Sequence, residues 1–173
     1  RQVFYQVFYR IKRQLIKGPS YSSIDRPPRA YLLKLDRSID PPKSLYTDYF
    51  LFLNHKKSFK QEIDWNYSGY GKLWTYNLNY FDYLLQEDIE QQTALDLIGA
   101  FCAQPDRRTV GIEPYPTSLR GINWIKFFCY QKVQNPEFHA VLFEHYRFLS
   151  TNIEFHLMGN HLLENGFALL FGA

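Results

Sequence analysis

The sequence predicts a mainly α fold in which neighbouring helices run antiparallel. Two observations carry this: successive amphipathic segments of ~12–18 residues are joined by short loops, and no alternation of strand and helix patterns interrupts them. A third bounds it. At 173 residues, with 46% hydrophobic and 21% charged side chains, the chain can bury the core of one domain, and its composition is not that of a disordered segment.

The elements follow in order. In "VFYQVFYRIKRQL", Val3, Val7 and Ile11 stand with Phe4, Phe8 and Leu15 at helical spacing, and Arg10, Arg13 and Lys17 lie among them. An amphipathic helix is expected, its basic face either solvated or apposed to a membrane surface. Gly18-Pro19 ends it. The Pro-rich stretches "DRPPRA" and "IDPPKS" then bracket "YLLKL", which reads as extended or irregular. Residues 1–60 are therefore expected to form an N-terminal helix and Pro-rich arm, and residues 61–173 the helical domain. Within this boundary region "YFLFLNHKKSF" suits a short strand or an apolar anchor. The next stretch, "DWNYSGYGKLWTYNLNYFDYLL", crowds Trp65, Trp74, Tyr76, Tyr80, Asn77 and Asn79 together. Aromatic faces stack on sugar rings and amides pair with hydroxyls, but the same residues suit a turn packed beneath a helix. "GYGK" lacks the spacing of a phosphate loop.

Ala94, Leu97, Ile98 and Phe101 mark the buried face of the next helix, which Pro105 closes. In "GIEPYPTSLRGINWIKFFCY", Pro114 and Pro116 are expected to stiffen a loop and Thr117 to cap a helix carrying Leu119, Ile122, Ile125 and Phe128. Arg120 near its start can hold a carboxylate or sulfate by a bidentate contact, or serve the structure alone. A further helix after Pro136 turns Phe138, Val141, Leu142 and Leu149 inward. His139 and His145 on it match no metal-binding pattern and read as packing or surface residues. The last helix lies in "HLMGNHLLENG", where Asn160, His161 and Glu164 make a polar stripe on an otherwise apolar rod. Asn160 can be an N-cap, but a capping box needs its acid three residues on and Glu164 comes four on. The spacing of His161 and Glu164 lets a carboxylate orient an imidazole, either for catalysis or to satisfy two buried groups.

Charge and cysteine content narrow the function classes. A net charge of +3 supplies no basic stripe for nucleic acid, and it leaves a polyanionic sugar admissible without selecting it. Cys102 and Cys129 fit neither metal spacing nor a disulfide framework. No apolar run approaches the ~18 residues of a membrane span. No signal peptide is visible, and the chain, from Arg1 to a mid-pattern "LLFGA", reads as a piece of a longer one. An aromatic share of 18% fits either a Tyr-rich core or a carbohydrate surface.

Three segments, "GKLWTYNLNYFDYLL", "PYPTSLRGINWIKFF" and "NIEFHLMGNHLLENG", resemble in that order the N-terminal half of heparinase II/III-type polysaccharide lyases, over about Ile63 to Ala173. The resemblance implies an incomplete α/α toroid of antiparallel helix pairs over residues 61–173. The C-terminal remainder of the toroid and a β-sandwich domain would be absent from this chain. It implies a parent enzyme that breaks uronate polymers such as heparan sulfate or alginate by β-elimination; a periplasmic or secreted location is expected, with a cytoplasmic one left open because the N-terminus reads as trimmed. The expected partner is an anionic polysaccharide. No cofactor is expected and no metal site in this chain, although a structural metal is compatible with the absent C-terminal part.

The same resemblance implies roles for residues. Asn160 would neutralise the substrate carboxylate, His161 would act as base or orienting group, and Glu164 would share in neutralisation. Substrate contacts would come from Arg120, Tyr115, Trp124, Trp74, Tyr80 and Asn79. A tyrosine and a second histidine from helices beyond residue 173 would complete the acid–base set, and Asn79 stands where many relatives carry histidine. Two other classes stay open: a glycan-binding or scaffold module without catalysis, and a glycoside hydrolase using two carboxyls among Glu113, Glu154 and Glu164.

Overall fold

A hairpin and five helices follow one another in the computed structural model, which describes residues 41–105, 108–157 and 159–173 together with Phe4, Val7, Phe8, Ile11 and Leu35. In the hairpin, β1 (Phe50–Phe52) pairs antiparallel with β2 (His55–Lys57), setting Phe50 opposite Lys57 and Phe52 opposite His55. Leu53 and Asn54 between them have φ of 53° and 63°, the left-handed pair that suits a two-residue hairpin turn. Alternation along β1 buries Phe50 and Phe52, whose rings lie 5.3 Å from Tyr83 and 5.2 Å from Trp74. The strand is thus also an apolar anchor. It joins the same core as the helices.

The helices are α1 (Lys72–Tyr80), α2 (Gln91–Cys102), α3 (Pro114–Gln131), α4 (Pro136–Thr151) and α5 (Asn160–Phe171), with a 3-10 turn at Asp82–Leu85. The chain is mainly α, as the periodicity predicts. Helix α2 buries Ala94, Ile98 and Phe101. Helix α4 starts where Asn135 caps it, accepting from the N–H groups of Glu137 and Phe138, and Pro136 takes the first position, where no N–H is needed. The start of α3 differs from expectation. Its first residue is Pro114, so both prolines lie in the opening turn, and Thr117 is an internal residue whose N–H donates to Glu113 O at 3.0 Å. Proline at the head of a helix costs nothing there, which is why two of them read misleadingly as a stiff loop. Helix α3 packs against α1, the 3-10 turn, α4 and α5.

The core is aromatic. Phe81, between α1 and the 3-10 turn, holds φ of 60°, a left-handed conformation that costs a non-glycine residue roughly 1–3 kcal/mol. Its ring is fully buried, stacked on Trp65 at 5.3 Å and edge-on to Phe101 and Trp124. Burial of a ring among rings offsets strain of that size. His145 of α4 joins this cluster, 5.5 Å from Trp124, and His139 packs 5.1 Å from Phe128. Both are packing histidines. In the N-terminal segment Phe4, Val7, Phe8 and Ile11 are helical and exposed; the rest of the expected helix with its basic face, and nearly all of the Pro-rich arm, lie outside the described residues. Among the described residues no helix is long and apolar enough to cross a membrane.

Burial holds the pKa of His145 well below its ordinary 6.5, and the guanidinium groups of Arg120 and Arg108 lower it further. The unfolded chain therefore takes up a proton near pH 6.5 that the folded chain rejects, so this residue withdraws stability as pH falls below about 6.5. His145→Phe keeps a ring in place and should flatten the acid side of the stability profile, read from urea midpoints across pH. An unchanged acid slope would assign it to other groups.

Candidate functional site

The polar residues at the head of α5 meet α3 because one buried amide ties three elements together. Asn165, fully buried in α5, accepts from the backbone N–H of Glu154 at 2.9 Å and donates to Ser118 Oγ of α3 at 3.0 Å. The loop between α4 and α5 is thereby fixed, and the Glu154 side chain comes to rest against His161. Glu154 Oε2 lies 3.1 Å from His161 Nδ1, with the carboxylate side chain 3% exposed and the imidazole 33% exposed. With Nδ1–H donating to this carboxylate, Nε2 is left as the acceptor.

Tyr115, from the first turn of α3, stacks on that imidazole with ring centroids 4.2 Å apart and planes 30° from parallel. Its pKa is raised, first by burial and then by the carboxylates of Glu164 and Glu154, while a hydrogen bond with the Asn160 side chain works the other way. It is a neutral phenol at physiological pH. Tyr80 meets Tyr115 edge-on at 6.1 Å, and burial, followed by the neighbouring Tyr115, Tyr76, Asp82 and Glu113, raises its pKa strongly. Beside them Glu113 gathers Lys72 Nζ and Tyr76 OH, both at 2.7 Å from Oε1, and the Gly111 N–H at 2.9 Å from Oε2. Burial pushes its pKa up, but these partners outweigh burial and hold it low.

The structure brings Asn160, His161, Glu164, Tyr115 and Tyr80 into one neighbourhood. Two details correct the sequence reading. The carboxylate on His161 is Glu154 across a loop, not Glu164 one turn along the helix. Asn160 is not a cap: Gly159, with φ of 100°, holds that position, and Asn160 is the exposed first residue of α5.

No protein-family model, curated protein or solved structure matches this chain.

Four expected substrate contacts are corrected by burial, since Trp74, Trp124, Asn79 and Arg120 are all fully buried. Trp74 donates to His55 O at 3.0 Å and Trp124 packs on Phe81 and Phe101. Asn79 donates to Trp65 O and Thr75 O, and Arg120 spends its fork on Asn79 O, Gly111 O and Thr117 Oγ1. None offers a polar edge to a sugar. Asn165 and Ser118 lie within two of the quoted segments, but no spacing pairs residues so far apart in sequence and only folding joins them. Among the described residues no cluster of three or more His, Cys, Asp or Glu side chains gathers as a metal site would. Two concavities, of about 680 and 420 Å³, lie along α2 near Ile63, Thr93 and Leu97 and share no residue with the polar cluster. Neither is lined by a histidine.

Asn165→Ala leaves the Glu154 N–H without its acceptor in a buried place, which should cost roughly 1–3 kcal/mol of stability. Urea denaturation of the variant beside Ser118→Ala checks it. Equal, near-zero losses would show that this amide does not fasten the loop.

Proposed function

We propose that this chain forms part of a polysaccharide lyase that cleaves uronate polymers by β-elimination, on helix pairs belonging to an α/α toroid. The observation that carries this reading is the head of α5, where a neutral amide and an imidazole stand side by side and a buried carboxylate backs the imidazole. The resemblance of the three sequence segments supports the same reaction.

Elimination needs this kind of equipment. A base removes the C5 proton of a uronate, electrons shift to form the C4–C5 double bond, and the C4–O bond breaks with its pair leaving on oxygen. That oxygen takes a proton from the protonated base or from solvent. Negative charge gathers on the C6 carboxylate as the proton departs, and the Asn160 amide is a donor that meets it without adding charge of its own. His161 Nε2 accepts the proton or orients the sugar, and Glu154 stabilises the imidazolium that results. Tyr115 limits the ring's movement and presents a neutral hydroxyl to a sugar oxygen. Glu164, near Tyr115, adds to neutralisation only in its protonated or paired form.

One observation favours a second reading. Glu154 and Glu164 both lie close enough to Tyr115 to raise its pKa, and paired carboxyls are the equipment of a glycoside hydrolase. Against this, Glu154 is buried and engaged by His161. Incubating the full-length protein with alginate, heparan sulfate and other uronate polymers separates the classes. A lyase raises ultraviolet absorbance through its unsaturated product, a hydrolase yields reducing ends without that absorbance, and a binding module yields neither.

Asn160 gives the sharper test. Asn160→Ala in the full-length protein should lower kcat by ~10²-fold or more, as loss of a single oxyanion donor does. Asn160→Asp should be at least as damaging to rate while leaving the fold intact, since an acid at the start of a helix is favourable. Initial rates and thermal melts on both variants decide it, and an active, folded Asn160→Asp protein would remove the catalytic role.

A further inference from the structure

The cluster at α5 extends as a row of aromatic rings back to α1. From His161 it passes to Tyr115 at 4.2 Å, to Tyr80 at 6.1 Å and to Tyr76 at 6.2 Å, and Lys72 Nζ lies 5.0 Å from the centre of the Tyr76 ring. The three tyrosines are half-buried, so each keeps an edge or face toward solvent. Phenols in this setting offer both apolar surface and hydroxyls, the combination that a pyranose ring uses. At the far end stands a cation. The Lys72 side chain is 57% exposed, and one of its three N–H donors suffices for Glu113, itself only 15% exposed. Carboxylates accompany the row as well: Glu113, Glu154 and Glu164, with Asp82 beside Tyr80.

We propose that Lys72 and the row Tyr76, Tyr80 and Tyr115 form a binding subsite for a second uronate residue of the polymer, distinct from the sugar whose linkage is broken at Asn160 and His161. The position of the broken linkage rests on the lyase reading; the binding itself does not. A polyanion approaching these carboxylates is repelled unless a cation meets it, and Lys72 is an exposed cation that the row reaches. Lysine suits the task as a point charge on a flexible stem, able to keep Glu113 and still turn toward a sugar carboxylate. The tyrosines set where the sugar lies, and Lys72 selects an acidic one.

The test is direct binding of a short oligouronate to the full-length protein by calorimetry, with a methyl-esterified oligomer of the same length beside it. Lys72→Met keeps the stem and removes the charge, and it should weaken the oligouronate about three- to fivefold, the scale of an exposed ion pair, without affecting the ester. Lys72→Met also uncovers Glu113, so Lys72→Met/Glu113→Gln is the control: it should bind as weakly as the single variant or recover only part of the loss. Full recovery in the double variant would mean that Lys72 merely masks Glu113, which overturns the subsite. So would unchanged binding in Lys72→Met, or no oligouronate binding by the wild type. Charge-dependent binding without any ultraviolet-absorbing product would leave the subsite standing and remove the lyase reading.

Discussion

A guanidinium group buried in an aromatic core constrains everything around it. Arg120 is fully buried, its carbon 4.7 Å from the centre of the Phe101 ring, and it donates to Asn79 O, Gly111 O and Thr117 Oγ1. A charge so placed is tolerable only where its planar fork meets several acceptors at fixed angles, so the acceptors are held as firmly as the cation. Those acceptors belong to the end of α1, the loop before α3 and the first turn of α3. Gly111 completes the arrangement. Its φ is 78°, and a Cβ there would fall 2.5 Å from the Asn79 side chain, so only glycine lets its carbonyl approach this closely. Arg120 matters to the candidate site without touching a ligand, because Glu113, Tyr115 and Ser118 all hang on the stretch that it fastens.

The aromatic wealth of the chain divides along the same line. The rings that meet around Phe101 and Trp74 are core, and the tyrosine row from α1 to α3 is among the aromatic residues that keep contact with solvent. Composition alone allowed a Tyr-rich core or a sugar-facing surface, and the molecule has room for both because each tyrosine has one apolar body and one polar tip. Phe81 shows how the division is made. Its left-handed backbone turns the chain sharply after α1, driving one ring into the core while Tyr80, its neighbour, stays at the margin.

What could be read from the sequence was what repeats locally. The buried faces of α2 and α4 follow from a 3.6-residue period, and the Asn160-His161 pair is visible as a polar interruption of an apolar run. The rest required contacts between residues far apart. Glu154 precedes His161 across an irregular loop, a separation that no helical periodicity flags, and Asn165 meets Ser118 over 47 residues. Arg120 and Asn79 misled for a related reason: a buried polar side chain serving backbone carbonyls has the same letters as one serving a ligand. Trp74 and Trp124 misled because indole is equally at home under a sugar and inside a core.

Electrostatics then gives the site its character. Glu113 is matched by Lys72, and Glu154 is matched by His161 whenever the imidazole carries a proton, so the carboxylate left without a cation in this set is Glu164. A neutral amide at Asn160 adds no charge to that balance, whereas a lysine or aspartate there would shift it by a full unit in either direction. For a negatively charged sugar this matters more than the number of hydrogen bonds available. On the proposed lyase reading the amide would strengthen its grip as charge moves onto the sugar carboxylate, whereas any ionised carboxylate nearby would repel that growing charge more than it repels the resting anion. Binding that improves as a reaction proceeds, rather than before it, is the condition for rate enhancement; on the proposed reading the neutral donor would meet it, and the pairing of Glu113 with Lys72 and of Glu154 with His161 would limit the opposing repulsion.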